Sequence, residues 1–211
     1  MSYRKTPLVE GNVYHVYTRS IAGYVVFSGE REYHRALETI NFYVAEHPPS
    51  KFSSRPAVEV DKGEKLARII AYCLMPTHIH LVLQQLKKNG ISRLMNLAFN
   101  SYSSYFNKKH NRRGPLWESR FKVVPVESDE QLLHLTRYIH LNPVTAFLVN
   151  SPEGWTYSSY REYLGLVEER QRICEFSNCL EINALEYQRF VCDRIGYQRE
   201  LARIKNLLID E

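Results

Sequence analysis

Long apolar runs are missing from this chain of 211 residues, and none reaches the roughly 18 residues that a membrane-spanning helix requires. No membrane association is therefore expected. The opening Met1-Ser2-Tyr3-Arg4-Lys5-Thr6-Pro7 has no apolar core of the kind a secretory signal carries, which predicts a cytoplasmic location. Cysteine is sparse. Cys73, Cys174, Cys179 and Cys192 form no CxxC pair, which excludes a disulfide scaffold and a zinc ribbon and predicts buried thiols. There is no GxxxxGK[ST] loop to cradle a nucleotide, no internal repeat and no low-complexity tract. What is present, 44% hydrophobic and 12% aromatic residues with 28 basic against 23 acidic side chains, describes a soluble globular protein of one or two domains.

The net charge of +5 is modest but uneven. Residues 1–150 carry a balance of +8 and residues 151–211 a balance of −3, which divides the chain into a main domain, 1–150, and a helical C-terminal extension, 151–211. Within the first part, Lys108, Lys109, Arg112, Arg113, Arg120 and Lys122 face only Glu118. Such a run suits a polyanion or a solvated loop equally. The neighbouring rings of Tyr105, Phe106, Trp117 and Phe121 favour nucleic acid, because unpaired bases stack on rings while phosphates pair with cations.

The β-branched and aromatic stretch 12–18, followed by Arg19, reads as a strand. A helix opens at 28–31 with Tyr33, Leu37, Ile40 and Val44 on one face, ended by Pro48-Pro49, and residues 48–65 form an exposed excursion. Strands 66–74 and 79–86 make a hairpin around 75–78. A helix at 91–108, a strand at 121–126 and a helix from Ser128 to about Leu141, ended or kinked by Asn142-Pro143, complete the domain. Further helices are predicted at 155–163, 184–195 and 198–208. The order β-α-β-β-α-β-α implies an α+β fold with an antiparallel or mixed sheet covered on one face.

Residues two apart on a strand share a face, so His78 and His80 present two imidazoles side by side while Ile79 enters the core. By itself this spacing also suits an ordinary solvated strand. Tyr138 and Asn142 are one helical turn apart on one face, and His134 extends the row. A phenol and a carboxamide beside two imidazoles suggest a nucleophile and a third metal ligand. Equally, Tyr138 could be a core tyrosine, Asn142 a helix-ending residue and His134 a surface residue.

The runs 75–83 (MPTHIHLVL), 107–122 (NKKHNRRGPLWESRFK), 138–144 (YIHLNPV) and 155–160 (WTYSSY) resemble the insertion-sequence-200-like transposases, most closely the REP-associated tyrosine transposase branch. The resemblance covers about residues 8–165. It implies a ferredoxin-like or RRM-like antiparallel sheet and a single-tyrosine endonuclease of the His-hydrophobic-His class. In that reading His78, His80 and Asn142 bind Mg²⁺ or Mn²⁺. Tyr138 attacks single-stranded, hairpin-containing DNA to leave a 5′-phosphotyrosine and a free 3′-hydroxyl. Arg4, Lys5, Arg19, Lys108, Lys109, Arg112, Arg113, Trp117, Arg120 and Lys122 hold the DNA. Tyr102 and Tyr105 fall on the apolar face of their own helix, which predicts core packing for them. Members of the family include monomers and dimers, so a homodimer is one expected arrangement. The alternatives are a catalytically silent DNA- or RNA-binding regulator on the same fold, or a metal-dependent hydrolase of small phosphoesters.

Overall fold

A computed structural model describes residues 7–48, 50–54, 63–118 and 120–207, with side chains as far as residue 203. Strands β1 (Val13–Arg19), β2 (Ala67–Met75), β3 (His78–Gln85) and β4 (Lys122–Val126) form one sheet in the order β2-β3-β1-β4, and the named pairings are antiparallel. Pro76 and Thr77 alone link β2 to β3, a connection short enough to fix the hairpin register. Helices α1 (Glu30–Tyr43) and α2 (Gly90–Lys109) pack together on one face. Their apolar sides meet Tyr14 and Val16 of β1, Tyr72 and Leu74 of β2, and Ile79, Leu81 and Leu83 of β3.

The expected α+β sheet with its helical layer is thus present, and the opposite face is also partly covered. Helix α3 (Asp129–Thr145) lies there with Ile70, Cys73, Met75 and Val82 beneath Leu132, Ile139 and Val144. The hydroxyl of Ser128 caps its start, accepting from the Gln131 amide at 3.1 Å. Pro143 does not end this helix. The missing amide falls in the last turn, where Ala146 N–H still reaches the Asn142 carbonyl at 2.9 Å and Leu148 N–H the Pro143 carbonyl at 2.9 Å.

A second departure lies at 155–163, where only α4 (Tyr160–Tyr163) is helical. Residues 157–159 run instead along the free edge of β2, with Leu74 N–H donating to the Tyr157 carbonyl and Ser159 N–H to the Tyr72 carbonyl, both at 3.0 Å. Edge amides and carbonyls need partners, and this segment supplies them. Helices α5 (Ala184–Cys192) and α6 (Ile195–Leu207) pack on α3, so the residues beyond 150 share a core with it. Cys73 and Cys174 are buried, Cys179 and Cys192 half-buried, and all four are free thiols. Among the described residues no helix is long and apolar enough to cross a membrane.

Two stability predictions arise from this packing. Gly90 opens α2 hard against β2, and a Cβ there would overlap the Leu66 carbonyl oxygen, which is backbone and cannot yield. Gly90→Ala is expected to cost about 3 kcal/mol, seen as a lowered urea midpoint. His140 of α3 is fully buried between the Tyr187 hydroxyl and the Ser159 hydroxyl, each at 2.7 Å, and burial pushes its pKa down to about 3. The unfolded chain binds this proton near pH 6.5 and the folded chain does not. The contribution is therefore complete above pH 6.5 and is lost as pH falls towards 3, at about 1.4 kcal/mol per unit. Between pH 7 and pH 5, His140→Gln should lose about 2 kcal/mol less unfolding free energy than the wild type.

Candidate active site

On β3 the odd residues enter the helical layer, so His78 and His80 project to the face shared with α3. Their rings are 5.1 Å apart and nearly perpendicular. Register brings β1 alongside: Arg19 lies opposite His78 and Tyr17 opposite His80, while across β1 Tyr17 faces Lys122 and His15 faces Val124. The result is a row of imidazole, phenol and cationic side chains beside α3, with Val124 exposed at its margin. The Lys122 ammonium lies 5.9 Å from the centre of the Tyr17 ring.

Each imidazole engages Nδ1 with a neighbour: His78 with the Thr77 hydroxyl at 3.0 Å, His80 with Nε2 of His15 at 2.9 Å. Among the described residues, no hydrogen bond engages Nε2 of either ring. Burial depresses the pKa of His78 to about 4, with the Arg19 charge adding to the effect. His80, only 7% exposed, is lowered to about 2 by burial and then by His78, His15 and Arg19. Both rings are therefore neutral at pH 7, the form that donates a lone pair to a metal.

Helix α3 carries Tyr138 over this face. Its ring stands edge-on to His80 at 6.0 Å, and the side chain is 46% exposed, so the phenol is open to a substrate. One turn later, the carboxamide of Asn142 has its buried nitrogen without a hydrogen-bond partner. The two neutral imidazoles have the chemistry of divalent-cation ligands; the unpartnered Asn142 atom is the amide nitrogen, a hydrogen-bond donor, so a ligating role for Asn142 would fall to its carboxamide oxygen. No group of three or more His, Cys, Asp or Glu residues among those described has metal-site geometry. His134, a turn before Tyr138, is held by Arg137 at 2.7 Å and lies edge-on to Phe190.

The DNA-binding set divides. Arg19 and Lys122 lie on the His-bearing face, and Arg120 is exposed two residues before Lys122. Lys108 and Lys109 end α2 in the other layer, where with Arg35 and Lys51 they line a groove of about 830 Å³, and Lys109 pairs with the buried carboxylate of Glu32. Arg112 stitches its own loop, donating to the Pro115 carbonyl at 2.8 Å and the Asn107 carboxamide at 3.1 Å, whereas Arg113 is exposed. Trp117, expected among the DNA-binding residues, is packed in part against the protein's own core. It is half-buried, stacks on Phe99 at 4.9 Å and donates to the Ser103 hydroxyl at 3.1 Å, because the loop returns along β1 through a Ser20–Trp117 bridge. Arg4 and Lys5 lie outside the described residues. Tyr102 is buried with its hydroxyl on the Val26 carbonyl, and Tyr105 packs at the margin of the same core.

Sequence reasoning missed His15. Alternation along β1 puts it on the face of Arg19, but its contact with His80 depends on the pairing of β1 with β3, which no local pattern reveals.

Comparison with known proteins adds three findings. Residues 58–142 match the family model "Transposase IS200 like". A Haemophilus influenzae protein bearing the name REP-associated tyrosine transposase is 30% identical over 102 residues, covering 43% of this chain and 57% of that protein's length. The chain thus spans little more than half of this curated relative. A solved structure of a REP-associated tyrosine transposase bound to a REP hairpin superposes with a TM-score of 0.53 at 16% identity, over 86% of this chain and 99% of the other, a likeness of fold.

Proposed function

We propose that this chain, whose residues 58–142 match the model of the IS200-like transposase family, is a metal-dependent single-stranded DNA endonuclease and strand transferase acting on hairpin-containing DNA in transposition. The observation that carries this reading is the approach of an exposed Tyr138 ring to within 6.0 Å of the buried His80 ring, with His78 beside it.

In the proposed reaction the Tyr138 phenolic oxygen attacks phosphorus in line with the 3′ oxygen. A Tyr–O–P bond forms, the P–O3′ bond breaks, the phenol gives up its proton and the departing oxygen takes one up. The products are a 5′-phosphotyrosine and a free 3′-hydroxyl. In the reverse direction another strand's 3′-hydroxyl displaces Tyr138, so the phosphodiester is remade with no ATP. His78, His80 and Asn142 would hold Mg²⁺ or Mn²⁺, which supplies charge neutralisation at a non-bridging phosphate oxygen. His78 and His80 do so as neutral donors on a rigid strand, and α3 aims the phenol. Because Tyr138 and His80 meet within one chain, the reading requires no second subunit.

Arg19 and Lys122 are assigned to the phosphates that flank the cleaved bond, with Tyr17 between them as a surface for an unpaired base. Replacing Arg19 and Lys122 together with Ala should reduce the slope of log affinity against log salt by about 1.4 on single-stranded DNA, measured by fluorescence anisotropy. An unchanged slope would remove both from the interface.

The reading as a whole is tested by incubating the protein with end-labelled hairpin DNA and Mn²⁺ and resolving the products on a denaturing gel. A protein–DNA adduct that EDTA prevents is the expected result. Binding without cleavage would favour the silent regulator, and cleavage without adduct a metal-dependent hydrolase.

A further inference from the structure

We infer that His15 is a positioning residue that holds His80 in the tautomer and orientation needed for metal ligation, an inference that rests on the proposed metal site and extends it by one residue on a different strand.

The geometry is direct. Nε2 of His15 lies 2.9 Å from Nδ1 of His80, and the two rings are nearly parallel, with 5.2 Å between centres and 19° between planes. Tyr17 completes a triangle of rings, its centre 5.0 Å from that of His15 and 6.0 Å from that of His80. His80 is thereby fixed by a hydrogen bond and by aromatic contacts at once. His15 cannot do this by accident of exposure, because the pairing of β1 with β3 dictates its place: with Tyr17 opposite His80, His15 is the next residue along the same face.

The chemistry of the pair then selects a direction. Between two neutral imidazoles one nitrogen donates and the other accepts. If His15 donates, His80 Nδ1 accepts, its own proton sits on Nε2, and that nitrogen has no lone pair for a cation. If His15 accepts, His80 carries its proton on Nδ1 and offers the Nε2 lone pair. A ligating His80 therefore requires His15 as acceptor, with the His15 proton on its own Nδ1. This is the arrangement in which a partner beyond the ligands orients them and raises their basicity. His15 is not itself a ligand in this assignment, since its Nε2 is engaged by His80.

The test compares wild type with His15→Phe, which keeps a ring at this position and removes the acceptor, and His15→Gln, whose amide oxygen restores one. Mn²⁺ binding is followed by calorimetry and by the relaxation enhancement of water protons. In metal-free protein, ¹⁵N NMR reads which His80 nitrogen bears the proton. Wild-type His80 should carry it on Nδ1. His15→Phe should lose that preference and bind Mn²⁺ about 10- to 100-fold more weakly, and His15→Gln should recover most of the affinity. Thermal melting of each variant separates this loss from misfolding. If His15→Phe does not fold, the wild-type tautomer and the His15→Gln affinity carry the test. Equal Mn²⁺ affinity in wild type and His15→Phe, or a wild-type His80 protonated on Nε2, would overturn the inference alone. Absence of Mn²⁺ binding by the wild type would overturn the metal site together with it.

Discussion

Tyr138→Phe should abolish the covalent protein–DNA adduct and lower cleavage by about 10³-fold or more, while leaving hairpin affinity within about twofold of wild type. The substitution is well matched to the question. Phe keeps the ring that stands edge-on to His80 and removes only the oxygen, and at 46% exposure the hydroxyl supports no buried network whose loss would confuse the result. Cleavage that survives in this variant would mean that water is the nucleophile and that the site is a hydrolase. His80→Ala should also suppress the adduct, but with lost Mn²⁺ binding, which Tyr138→Phe retains. The two variants thus separate the nucleophile from the group that readies the phosphate.

The second large effect concerns how α3, the helix that carries Tyr138, is supported. Glu162 of α4 is 2% exposed, and burial pushes its carboxyl above the usual range. Three donors meet it: the Tyr72 hydroxyl at 2.9 Å and the backbone amides of Ile173 and Cys174 at 3.0 and 2.8 Å. Glu162→Ala leaves all three without an acceptor. At about 1 kcal/mol or more for each orphaned donor, the loss should be about 3 kcal/mol or more, a melting temperature lower by roughly 6–12 °C. Because this carboxylate joins β2 to the segment packed beside α3, the same variant should show faster amide exchange in residues 157–175. A melting temperature within about 2 °C of wild type would show that this junction contributes little.

How far the molecule could be read from its residues follows from the range of the signals. His78 and His80 were legible because period-2 alternation is local, and Tyr138 and Asn142 because a four-residue spacing fixes one helix face wherever the helix lies. That Tyr138 meets His80 was supplied by the family resemblance. Spacing alone does not say that α3 packs on the His-bearing face of the sheet, chiefly against β2. The stretch 155–159 reads as helix by composition, yet the open edge of β2 claims its backbone, a tertiary demand that outweighs local preference. Pro143 reads as a helix stop but sits where the missing amide matters little. Trp117 reads as a surface for bases because it stands beside a cationic run, and the pairing of its loop with the end of β1, which sets its ring against Phe99, has no local signal. His15 and Glu162 act through partners 65 and 10 or more residues away in sequence, and only register and packing bring them into view.

The most direct measurement is to digest the protein–DNA adduct with protease and nuclease and locate the modified residue by tandem mass spectrometry. The account predicts a 5′-phosphonucleotide remnant on Tyr138 alone. A remnant on Tyr17, Tyr105 or any other side chain, with Tyr138 unmodified, would contradict it.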